Sequence, residues 1–293
     1  MTTNLPFVSN GDATLPTFQK LSVAGGGTNA TSLAANTLLQ GGTTVTASNS
    51  LSADFTATTA TAAATRSITA SNSDNTSGTS NASLIVYTGG SSGGDPYVSA
   101  TITGIQGYSW GVDNSDSDAL KETNSNAGPS NGSVLRKMTS AGEQTLPLQP
   151  SFLAYLGSQV TNATGDSTTW QLGTTTALTE VFDQNSDFNT NGTFTAPVTG
   201  IYYLQFYFYV VGGTNIASGN FQLVTSNRTF RIDCASINPA LNTFVNRGFS
   251  TLADMDAADT YTCTVTLADS GGKVDDIFGS SSPFTWMSGN LVC

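Results

Sequence analysis

The stretch TFTAPVTGIYYLQFYFYVV, Thr193 to Val211, holds one turn signal, Pro197-Val198-Thr199-Gly200, which divides it into a short strand and a long one. After Gly200 the side chains alternate with period two. Tyr202, Leu204, Phe206, Phe208 and Val210 go to one face, and Ile201, Tyr203, Gln205, Tyr207, Tyr209 and Val211 to the other. Neither face suits water. A strand in an antiparallel sandwich ordinarily keeps one solvated side, so this one needs two covers. The fold supplies one and a neighbouring copy of the chain the other, which makes Tyr203, Tyr207 and Tyr209 the expected contact between copies.

Outward from this stretch the pattern repeats. Phe152–Leu156, Thr168–Leu172, the pieces around Val181-Phe182 and Phe188, Thr193–Ala196, Ile201–Val211, Ile216–Val224, Thr229–Ala235, Phe244–Leu252, Thr260–Leu267 and Phe284–Val292 all read as short strands. No helical periodicity competes. Ten strands over residues 149–293 imply an all-β fold, a two-sheet antiparallel sandwich of the jelly-roll kind. Towards the N-terminus, residues 81–148 carry further strand-like pieces (Ala82–Thr88, Tyr97–Ile105, Tyr108–Val112, Val134–Met138) around the polar run DNSDSDALKETNSNAGPSNGS. Asp113, Asp116 and Asp118 sit in that run without the glycine and distal glutamate of a helix-loop-helix calcium loop, so they read as a solvated turn. Residues 23–80 are nearly all small, with single apolar residues such as Leu33, Leu51 and Phe55. One copy cannot bury enough surface there to offset ordering entropy; three copies wound round an axis can, and a flexible linker is the alternative. Residues 1–22, with Leu5-Pro6-Phe7 and Leu15-Pro16-Thr17-Phe18, read as an anchoring segment.

Composition removes several function classes. Charged residues are 10% of the chain and the formal net charge is −11, with the nine Lys and Arg scattered. Such a chain is repelled by phosphate, against nucleic acid or an anionic membrane as partner. It contains no histidine, which excludes the Ser-His-Asp and Cys-His nucleophile systems and histidine zinc sites. Cys234, Cys263 and Cys293 form no CxxC pair; buried free thiols are the expectation, with a Cys234–Cys263 bridge as the alternative. The first twenty residues have neither a basic region nor an apolar one, and no later stretch reaches membrane-spanning length. Assembly into a particle made in the cytoplasm fits that pattern.

Two resemblances add to this. The run Phe182-Asp183-Gln184-Asn185-Ser186-Asp187-Phe188 followed by Gly192-Thr193-Phe194-Thr195-Ala196-Pro197-Val198-Thr199-Gly200-Ile201-Tyr202-Tyr203-Leu204 resembles the globular head of the complement q-subunit, one of the tumour-necrosis-factor-like jelly rolls. The Ala258-Asp259 turn and Trp286-Met287-Ser288-Gly289-Asn290-Leu291-Val292 fit the later pieces in order, with Ala258 where that family tends to have Gly, and Met287 and Asn290 where aromatics are usual. The resemblance implies a homotrimer. Upstream, Gly25–Gly42 and Gly89–Lys121 resemble stretches of tail-fibre and appendage proteins of bacteriophages and other large viruses.

A polar shaft, an aromatic-rich C-terminal knob and an anchoring segment describe a fibre on a virion. The expectation is a homotrimeric tail fibre, docked to a virion attachment protein through residues 1–22, whose knob loops grip a host-surface glycan or protein by multivalency. Arg228, Asn238 and Asn242 are the candidate receptor contacts. A capsid-surface fibre or decoration protein with a structural role is the alternative, and a glycan depolymerase a weaker one, since glutamate is limited to Glu122, Glu143 and Glu180. No cofactor is expected. The resemblance implies that calcium can sit at the trimer apex of such heads, with Asp254, Asp256 and Asp259, and separately Asp275 and Asp276, as ligand candidates.

Overall fold

The computed structural model describes residues 70–212, 216–237, 244–268 and 270–293, with backbone alone at 236 and 237. The expected anchoring segment and most of the expected shaft therefore lie outside the described residues. The chain divides into two compact units, Met1–Ser80 and Asn81–Cys293. In the first, Asp74 accepts hydrogen bonds from the Thr76 amide at 2.9 Å and its hydroxyl at 2.6 Å, and also from the Ser80 hydroxyl. The Ser80 and Thr76 hydroxyls hold the Asp74 carboxyl at about 2.

The second unit opens with an antiparallel meander of β1 (Tyr97–Ile102), β2 (Gln106–Asp113), β3 (Ala119–Thr123), β4 (Val134–Met138) and β5 (Gln144–Thr145), neighbours in sheet order as in sequence. Two expectations fail here. The segment Ala82–Thr88 has strand-forming residues but pairs with none of the described strands, and Leu84, Ile85, Val86 and Tyr87 stand 76, 71, 47 and 82% exposed. Conversely, β3 lies in the run read as a polar turn. Its alternate residues Ala119, Lys121 and Thr123 are buried, because Lys121 reaches Asp113 at 2.7 Å and the Ser109 and Thr123 hydroxyls bond each other at 2.8 Å. Burial pushes the Asp113 carboxyl up, but the Lys121 ammonium and the Ser115 hydroxyl outweigh this and leave it below its ordinary value. Asp116 joins Lys121 and Lys137 at 2.7 and 2.6 Å. Asp113 is thus a buried end of β2, whereas Asp116 and Asp118 do lie in the turn 114–118, Asp116 half-buried between the two lysines and Asp118 exposed.

The sandwich follows: β6 (Ser151–Tyr155), β7 (Val160–Thr164), β8 (Thr169–Gln171), β9 (Thr179–Asp183), β10 (Phe188–Asn189), β11 (Thr193–Thr195), β12 (Gly200–Val211), β13 (Ile216–Thr225), β14 (Thr229–Ile237), β15 (Phe244–Met255), β16 (Thr260–Ala268), β17 (Asp275–Ile277) and β18 (Trp286–Leu291). One sheet runs β7-β17-β12-β18-β6-β9 with β15 also on β12; the other runs β10-β11-β16-β13-β14 with β8 on β16. All pairings are antiparallel, and neighbours are mostly distant in sequence, which is jelly-roll topology. The expected fold class holds. The extra strands beyond ten are β7 and β17, too short and polar to signal themselves, and the division of the 181–188 region into β9 and β10.

β12 is the organiser. It pairs with β15 over its full length and with β18 and β17 on its other edge. Its even-numbered residues Tyr202, Leu204, Phe206, Phe208 and Val210 are at most 1% exposed and meet Phe221, Leu223, Tyr261, Cys263 and Val265 of the opposing sheet in one core. Phe152 stacks between Phe188 and Phe194 at centroid distances of 4.6 and 4.9 Å. The buried phenols are satisfied: Tyr202 Oη donates to Val198 O at 2.7 Å and Tyr261 Oη to Gln205 O at 2.8 Å. Cys234 and Cys263 are buried and unpaired, and Cys293 is exposed. Burial pushes the Cys263 thiol far up, so it packs as a small apolar group.

Candidate functional site

The odd-numbered residues of β12 build a continuous aromatic band on the outer face of its sheet. Register sets its membership. Tyr203 lies beside Leu252 and Asn290, Gln205 beside Ser250 and Ser288, Tyr207 beside Gly248 and Trp286, Tyr209 beside Asn246, and Val211 beside Phe244 and Asp276. Asp276, at the far end, is the one charged residue among these neighbours. Tyr207 stacks on Trp286 at 6.3 Å with 12° between planes, and Tyr209 stacks on Phe244 at 5.1 Å and meets Phe284 edge-on at 5.4 Å. Gly248 makes the stack feasible, since a Cβ there would lie 2.7 Å from Tyr207 Cδ2 and 2.4 Å from Phe206 O. A polar tie across the band is Gln205 Nε2 donating to Ser288 Oγ at 2.8 Å.

The expected tyrosines therefore fall together, Tyr207 and Tyr209 half-buried, and the band around them remains partly open: Tyr203, Leu252, Phe244 and Phe284 are 37, 60, 44 and 40% exposed. A surface of this kind on a sheet face is the usual mark of an interaction site. Sequence reading did not include Trp286, Phe244 and Leu252 in it. Each belongs to a strand already recognised, but which face it shares with Tyr207 depends on cross-strand register.

The other candidates have local partners. Arg228 grips Asp254 through both Nε (3.0 Å) and Nη2 (2.7 Å), and holds that carboxyl below its ordinary value. Asp259 accepts from Asn227 Nδ2 at 2.7 Å and the Asp256 amide at 2.8 Å, and Asp256 accepts from Thr199 Oγ1 at 3.4 Å. These three acids and Arg228 lace the 225–228 turn to the 256–259 turn. Asn238 and Asn242 lie outside the described residues.

Asp275 and Asp276 diverge although adjacent. Asp275 is fully buried at the β7–β17 pairing, where it accepts from Ser270 Oγ at 2.8 Å while its Oδ1 has no partner among the described residues. Burial, with Asp276 alongside, pushes its carboxyl up against the opposing effect of Ser270. Asp276 instead accepts from Gln159 Nε2 at 2.8 Å and the Asn162 amide at 2.7 Å. Among the described residues no three carboxylates or thiols converge to hold a metal ion. Neither set of acids forms a calcium cage within one chain. No described helix is long and apolar enough to cross a membrane.

No family model matches the chain, and no curated protein sequence matches it. Among solved structures it is similar to murine APRIL, at 12% identity over 49% of this chain and 99% of that one with a TM-score of 0.35. It is also similar to the globular domain of zebrafish complement 1qA protein, at 14% identity over 50% of this chain and 98% of that one with a TM-score of 0.32.

Proposed function

We propose that this chain is a homotrimeric virion fibre protein of the tail-fibre type, whose C-terminal jelly roll is a knob that binds a glycan on the host surface. The observation that carries the reading is the uncharged band around Tyr203, Tyr207 and Tyr209. Its rings are organised by stacking and left open on the side facing away from the core, so a second and third copy of the chain are its natural cover. With the sheet faces occupied, receptor contacts fall to the loops, and weak grips by three knobs sum to useful avidity. Residues 1–22 serve as the virion anchor in this reading.

The test begins with sedimentation of the full chain at micromolar concentration, where a trimer is expected. Trimer and a Tyr207→Lys variant are then applied to arrays of bacterial surface polysaccharides. The intact trimer is expected to bind at least one polysaccharide about a hundredfold more tightly than the dissociated variant. A monomeric wild-type chain overturns the reading, and steady release of reducing sugar from the bound polysaccharide replaces adhesion with hydrolysis.

A further inference from the structure

The five-stranded sheet of β1–β5 is built inside out. Ser109, Asp113, Lys121 and Thr123, at 2, 2, 8 and 0% exposed, occupy its closed face. Loop 124–133 helps to seal that side: its Gly128 sits where a Cβ would touch the Tyr97 ring at 3.2 Å, and the Ser133 amide donates to Asn124 Oδ1 at 2.7 Å. The opposite face is apolar and open. Val98, Ile102, Tyr108 and Trp110 stand 50, 64, 47 and 50% exposed on it, and between Trp110, Leu120 and the unpaired segment Leu84–Val86 lies an apolar groove of ≈ 410 Å³. A sheet that hides its ion pairs and shows its tryptophan has its order of burial set by something beyond the described residues.

Charge identifies the cover. The open face carries one acid and one base, Glu122 and Arg136, which share a cross-strand row with Val98 and Trp110. They pair loosely at 3.5 Å and are about half exposed. An acidic partner would leave Glu122 opposed and a basic one would leave Arg136 opposed, whereas a copy of the same face offers an Arg136 for Glu122 and a Glu122 for Arg136. The sheet is also fixed close to the knob. Gln184 Nε2 donates to Leu146 O and Gln149 O at 2.7 and 2.9 Å, and Gln149 Nε2 to Leu291 O at 3.3 Å. Knobs that associate therefore hold these sheets at the high effective concentration of a short tether.

We propose that the open face of β1–β4 is a second interface between copies of this chain, closed by the same face of the two sibling chains. The proposal rests on the trimeric reading of the knob and extends it to a separate surface with its own core. The closed face, with its Lys121 network, then points to solvent, and the Glu122–Arg136 pairs become contacts between chains.

Hydroxyl-radical footprinting of the full-length chain, with sedimentation on the same samples, tests it. Oxidation of Tyr108, Trp110 and Met138 is expected to be at least fivefold slower in the assembled protein than in the dissociated protein at low concentration. Val98→Asp, on the open face, should restore that oxidation, whereas Thr101→Asp, an exposed position on the other face of the same strand, should not. A trimer in which these residues oxidise at the dissociated rate overturns this inference and leaves the knob reading standing. A monomeric wild-type chain removes both. Protection that persists in the dissociated chain shows the cover to be residues 1–69 of the same copy, and that also overturns it.

Discussion

At the scale of single residues, backbone conformation and burial each single out one position. Ala258 adopts φ +75 in the turn before β16, where its amide donates to Ala196 O at 2.8 Å. A left-handed conformation costs an L-residue with a Cβ about 1–2 kcal/mol, and glycine gives back about 0.4–1 kcal/mol of that through a freer unfolded chain. Ala258→Gly is therefore expected to stabilise the knob by about 0.5–1 kcal/mol, read as a higher denaturant midpoint at unchanged slope. Asp275 is the second. Its folded-state carboxyl is raised above the ordinary 3.8, so the native form holds the proton more tightly than the unfolded chain does. The contribution to stability is complete below 3.8 and is lost as pH rises through the folded value. Asp275→Asn removes the group that must ionise. Its melting temperature should exceed wild type by a few degrees near neutrality and converge with it below pH 4, and a constant difference across the range would refute the assignment.

At the scale of elements, what the sequence disclosed followed from local chemistry and what it concealed followed from pairing. β12 was legible because its alternation is unbroken for a dozen residues, and the turn before it is spelled by Pro197 and Gly200. β3 was not, because Lys121 and Thr123 are polar residues whose burial depends on Asp113 and Ser109 across the sheet. Leu84–Tyr87 erred the other way, since strand propensity needs a partner edge and none of the described strands of the same chain provides one. The candidate band divided along the same line. Its tyrosines were visible from period two alone, whereas Trp286 and Phe244 joined it only through the β18 and β15 registers. Gly248 is where that pairing is tightest, because an added methyl meets the Phe206 carbonyl and the Tyr207 ring together. Gly248→Ala should cost about 1–3 kcal/mol of stability by overpacking and weaken the near-ultraviolet circular dichroism of the Tyr207–Trp286 stack. A variant as stable as wild type, with an unchanged aromatic spectrum, would show that β15 can shift away freely.

At the scale of the whole molecule, short-range contact and long-range charge act in opposite directions. Each copy carries a formal charge of −11, so copies repel as they approach. The band where they are proposed to meet has no charge beside Tyr203, Gln205, Tyr207 or Tyr209, so its attraction is the burial of rings, which salt does not screen. Added salt shortens the screening length from about 30 Å at 0.01 M to about 8 Å at 0.15 M, which removes repulsion and leaves the ring contacts intact. Trimer formation by the isolated knob is therefore expected to strengthen several-fold between these two ionic strengths in sedimentation equilibrium. An interface held by ion pairs predicts the reverse trend. Weakening with salt would move the contact from the aromatic band to a charged surface such as the Arg228–Asp254 turn.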